Sequence, residues 1–167
     1  MTNASGQLLE AVATRARAAG VFGEVRIEGG RLLARAPHAS AEAWYRLETQ
    51  GDRAFVAWVT PDRWLSHSIE ADLMHTGDAL EELIAEELAE MGVGGGAGGG
   101  ASSTGPITTE HFRDESKLFV FRTPMPISAS ALLGPAEPKA VELASGYLLA
   151  YEAAFRELGD VSALAED

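Results

Sequence analysis

The chain contains no cysteine. It therefore has no disulfide framework, no thiolate nucleophile and no thiolate zinc site. Basic residues are scarce: 13 Lys and Arg stand against 25 Asp and Glu, a formal net charge of −12. That balance argues against nucleic-acid backbones and anionic membranes as partners, because both require a positive patch. It favours basic or mixed-charge protein partners. Long apolar runs are missing too. No stretch approaches the ~20 apolar residues of a membrane span, and the small, polar start of the chain does not read as a leader. The expectation is a cytoplasmic protein without nucleic-acid or membrane partners.

What is present suits one globular domain over residues 1–167, with 46% hydrophobic residues. Leu8, Leu9, Val12 and Ala16 share one face of a first helix, with Ser5 as its cap and Gly20 as its stop. Residues 24–28 and 31–35 alternate around Gly29-Gly30, the signature of a tight hairpin. Pro37 and the residues after it break this pattern. Three strands are then expected, over 43–49, 53–59 and 64–72. The second is nearly all apolar and reads as a central strand covered on both faces. The third has Leu65 and Ile69 in phase and reads as half exposed.

Asp78 and Glu81 stand in capping-box register before a helix whose stripe is Leu80, Leu83, Ile84, Leu88 and Met91, ended by Gly92. Residues 92–105 are almost entirely Gly, Ala and Ser and are expected to form a flexible loop. No Gly-Lys-Ser or Gly-Lys-Thr follows them, so they are not a phosphate loop. A second hairpin pairs 107–113 with 117–122. Thr123-Pro-Met-Pro should end its return strand, since proline donates no ladder hydrogen bond. A closing helix carries Val141, Ala144, Tyr147, Leu148, Tyr151, Phe155 and Leu158 on one stripe, with Gly159 as its stop. The expected fold class is α+β: an antiparallel sheet with helices at the start, middle and end of the chain, packed on one face.

Leu118-Phe-Val-Phe-Arg-Thr-Pro-Met-Pro, followed by the helix through Leu148, Tyr151, Phe155 and Leu158, resembles the closing strand and helix of type III secretion chaperones and of the YbjN domain family. Elsewhere the resemblance is in the order of elements. The chain departs from the family pattern in its extra strand room before the second helix and in the glycine-rich insertion. The resemblance implies a homodimer that binds a segment of a partner protein, with no cofactor and no catalysis.

Trp44 and Trp64 flank polar positions and are the expected aromatic anchors for that partner. On the closing helix, Tyr147, Leu149 and Tyr151 are the expected contacts, because one sheet face cannot easily cover that helix's full apolar width. The alternative is a small metal- or carboxylate-dependent hydrolase using His67, Glu70, Asp72 and His75. Strand alternation over 64–72 would place His67 opposite Glu70 and Asp72, and Asp78 is occupied as a cap, so no metal is expected. His38 and His111 read as surface histidines. Ser66 and Ser68 lack the turn that presents a serine nucleophile.

Overall fold

Gly29 and Gly30 both adopt positive φ, 60° and 78°. This is the conformation that a two-residue hairpin with the sheet's natural twist requires. They join β1 (Val25–Glu28) to β2 (Arg31–Arg35) with Glu28 opposite Arg31. Gly51, at φ 63°, turns β3 (Trp44–Gln50) into β4 (Arg53–Thr60) through a two-residue loop in which Asp52 does not share the positive φ. The computed structural model describes residues 6–36, 42–76, 80–91 and 108–156, without the side chains of 64–66, 68, 72, 75, 76 and 91. The expected Ser5 and Asp78 caps, the break after Pro37, the 92–105 loop and the Gly159 stop lie outside the described residues.

The strands form one antiparallel sheet in the order β1-β2-β3-β4-β6-β5, with β5 spanning Glu110–Arg113 and β6 Phe119–Ser128. Among the described residues five helices accompany it: α1 (Gln7–Ala19), α2 (Arg63–Thr76), α3 (Leu80–Met91), α4 (Ala129–Leu132) and α5 (Pro138–Arg156). The chain is thus α+β with an open six-stranded sheet. No described helix is long and apolar enough to cross a membrane.

One large core unites the helices with one face of the sheet. All five helices contribute to it, and alternate strand positions such as Leu32, Tyr45, Leu47, Val56, Trp58 and Phe121 meet them. The closing helix α5 contacts both α1 and α3 as well as the sheet. Phe155 is the hub of the aromatic packing. Its ring stacks on Trp58 at 5.1 Å and meets Phe121 and Tyr151 at 5.6 and 5.1 Å. Tyr151 shares a 2.7 Å hydrogen bond with Thr123, so neither buried hydroxyl is left unpaired.

Two expectations are corrected. Residues 64–72 lie in helix α2, not in a strand. Leu65, Ile69 and Leu73 are spaced by four, which is two strand periods and also about one helical turn, so this spacing fits both. The helix wins because Ile69 can bury completely, with Leu73 packed beside it. The prolines do not end β6. They fall beyond Arg122, where β5 no longer pairs, and beside a register shift opposite Arg53 and Phe55, positions at which a sheet tolerates a missing N–H. The expectation for β4 holds: it is a central strand buried on both faces, although among the described residues no helix covers the second one. Side chains of the sheet itself do that.

The helix ends show how the layers are tied. Gly6 caps α1 without a side-chain bond. Instead, Gly6 N–H donates to the Leu133 carbonyl at 2.7 Å, and Leu8 N–H to that of Gly134 at 3.1 Å. The segment after α4 thus satisfies donors that a helix start leaves open. Pro138 begins α5, where its missing N–H costs nothing.

Candidate functional site: the open face of the sheet

Strand alternation sends the residues between the core positions to the opposite face. Ala57, Val59 and Val120 form a small buried cluster there, with Trp44 and Leu118 packed on it. Around this floor, the register places Arg26, Arg31, Arg35, Arg46, Arg53 and Arg122. Among the described residues Glu28, Glu48 and Glu110 stand between them by register, and Glu24, Glu42, Asp114 and Glu115 border the same face. The face therefore carries mixed charge, with Arg26 paired to Glu24 at 3.1 Å and Arg122 to Glu110 at 2.6 Å.

The aromatic residues of this face lie beneath or beside guanidinium groups. Arg122 sits 4.1 Å from the Phe55 ring centre and 5.0 Å from that of Phe112. Arg26 and Arg35 approach the Trp44 ring at 5.1 and 5.9 Å. Arg122 also donates to Glu110 and to Gln50, both at 2.6 Å, and so braces three strands. Arg46 donates to Glu48 at 3.3 Å, but its Nε is buried with no hydrogen-bond partner.

Two grooves meet at Arg31 and Arg46. One, of about 570 Å³, is polar and of mixed charge, lined by Glu48, Asp114 and Glu115 as well as by Arg113 and Arg122. The other, of about 380 Å³, is walled by Leu33, Trp44, Val59, Pro61 and Leu118. Its rim is held by Thr60, whose hydroxyl donates to the Glu42 carbonyl at 2.6 Å, while Trp44 Nε1 donates to the Glu42 carboxylate at 3.0 Å.

The expected contact residues fall in different places. Trp44 is half-buried on the open face, in the apolar groove. Trp64 lies in α2, and its side chain is outside the description. Tyr147 and Tyr151 are in the interior, 1% and 0% exposed, and offer no surface. The reason is that α1 and α3 flank α5 on both sides, so the sheet does not cover its width alone. Leu149 is half-buried. The broad apolar patch expected on this helix is absent among the described residues. Burial pushes the Tyr147 phenol up to about 12 and the Tyr151 phenol higher still, so neither ionises near neutrality.

The helical α2 also changes the histidine cluster. His67 and Glu70, expected on opposite faces, stand three apart on a helix and share a side. Across from them His111 places Nδ1 at 3.1 Å from the Glu70 carboxylate and stacks its ring on Phe121 at 3.8 Å. Among the described residues, no three His, Asp or Glu side chains are grouped to hold a metal ion. Burial lowers the His111 pKa below its ordinary 6.5; Glu70 opposes this and His67 adds to it. A folded-state value below the unfolded one means that stability is full above pH 6.5 and falls as acid forces a proton onto the folded chain. The stability gap between the native chain and His111→Phe should therefore narrow as pH drops below 6.5, in urea titrations of both. A gap that does not change with pH would contradict this.

The arginines of β1 to β3 were visible in sequence as the polar half of an alternating pattern. Arg122 was not, because only the β4–β6 pairing brings it across Ala57 from Arg46. No protein-family model, no curated protein and no solved structure matches the chain.

Proposed function

We propose that this protein is a non-enzymatic binding module that holds a segment of a partner polypeptide on the open face of its sheet. The reading keeps the resemblance to type III secretion chaperones and YbjN proteins, and it takes the fold as chaperone-like in that sense. The single observation that carries it is the face itself: a buried apolar floor at Ala57, Val59 and Val120, no described helix over it, and two grooves large enough for side chains. A sheet face with an apolar groove and polar edges, and with no described helix over it, is a natural bed for an extended segment.

Photo-crosslinking tests the reading from two exposed positions. Phe112 lies on the open face opposite Val120 and is 38% exposed. Met74 lies on α2 and is 84% exposed. A photoreactive residue at 112 is expected to capture partner polypeptide, and one at 74 is not. Capture from 74 alone would move the binding surface to the helical side and overturn the reading.

A further inference from the structure

We infer that the occupant of the open face is an uncharged apolar segment, seated by one large aliphatic side chain in the groove beside Trp44, and that its binding is nearly independent of salt. The inference rests on the binding-module reading and adds to it the chemistry of the occupant. Net charge alone, −12, would favour a basic partner instead. The local arrangement of charge on this face points the other way.

The groove of about 380 Å³ has five apolar walls: Leu33, Trp44, Val59, Pro61 and Leu118. Its charged lining is engaged within the chain. Arg26 lies between Glu24 at 3.1 Å and Glu28 at 3.8 Å. Arg46 holds Glu48 at 3.3 Å, with only 15% and 16% of the two side chains exposed. Glu42 accepts the indole N–H of Trp44 at 3.0 Å, and Arg31 stands directly opposite Glu28 in the hairpin. Positive and negative groups therefore neighbour one another around the rim, and neither sign is segregated enough to select its opposite.

A charged occupant meets two costs here. To reach Arg26 or Arg46, a carboxylate must displace Glu24, Glu28 or Glu48, which only exchanges one ion pair for another. An ammonium group faces the same exchange at Glu28, and Glu42 is already tied to Trp44. Either charge would also leave water against the apolar walls, where desolvation can outweigh the attraction of a new pair. A leucine or isoleucine side chain meets neither cost. It covers apolar surface on Leu33, Val59 and Leu118 and leaves the rim pairs in place. Because the contact forms without a new ion pair, there is little electrostatic attraction for salt to screen.

The test uses the full chain and four peptides, acetylated and amidated, that share one host of serine, glutamine and isoleucine residues. The central residue is leucine, serine, aspartate or lysine. Binding is read by calorimetry, and its place by amide shifts in the nuclear magnetic resonance spectrum. The leucine peptide is expected to shift amides of β3, β4 and β6 beside the groove and to bind at least about tenfold tighter than each of the other three. Its affinity should change less than about twofold between roughly 0.05 and 0.5 M salt. Glu24→Gln combined with Glu28→Gln, both exposed positions, strips Arg26 of its two partners. That variant should bind the aspartate peptide at least about threefold tighter than the native chain does at low salt. Tighter binding of a charged peptide than of the leucine one, equal binding of the leucine and serine peptides, or a tenfold fall in leucine-peptide affinity across that salt range would overturn the inference and leave the binding-module reading standing. An aspartate peptide indifferent to the double variant would overturn it too, since pairing would then not be what excludes charge. If no peptide shifts the face, the module reading falls as well. Should the double variant fail to fold, the four peptides on the native chain still decide.

Discussion

Truncating Phe155 to alanine is expected to remove about 3–5 kcal/mol of folding stability. The ring is 3% exposed and touches four others: Tyr45, Trp58, Phe121 and Tyr151. Those four come from β3, β4, β6 and α5, so the lost ring is the one that joins the closing helix to three strands at once. The surrounding residues cannot collapse into the space, because Tyr151 is held by Thr123 and the strands by their ladders. Against a typical total of about 5–15 kcal/mol, such a loss leaves a marginal fold. Urea denaturation followed by circular dichroism measures it. A loss below about 1 kcal/mol would show that Phe155 is not the hub the packing describes.

Replacing Trp44 with alanine should affect binding far more than folding. The indole is half-buried, rests on the Ala57, Val59 and Val120 cluster, and forms a wall of the apolar groove. Buried aromatic anchors at interfaces contribute about 2 kcal/mol or more on truncation, roughly a thirtyfold loss of affinity. The fold loses less, because the indole is only half-buried and packs on the small second cluster and not on the main core. Peptide titrations and urea midpoints on the same variant separate the two effects. Unchanged affinity with a large fall in stability would make Trp44 a structural residue only.

Where the sequence was read well, a single local cause decided the outcome. Gly29-Gly30 admits one kind of hairpin, and the Leu80–Met91 stripe admits one kind of helix. Where it misled, two causes competed locally and a distant contact decided. The spacing of Leu65, Ile69 and Leu73 fits strand or helix, and the core chose the helix. Tyr147 and Tyr151 look like candidates for a surface because nothing local shows that α1 and α3 will close over α5 from both sides. The candidate site was half legible for the same reason. Arginines alternate with apolar residues on β1, β2 and β3, but the polar groove is completed by Arg122, seventy-two residues from its hydrogen-bond partner Gln50.

Hydrogen–deuterium exchange of the protein with its captured partner segment tests the central claim most directly. The account predicts new protection at the amides of β3, β4 and β6 around Arg46, Ala57 and Arg122, with α1 and α3 unchanged. Protection confined to the outer surfaces of α1 and α3, with the open face exchanging as in the free chain, would contradict it.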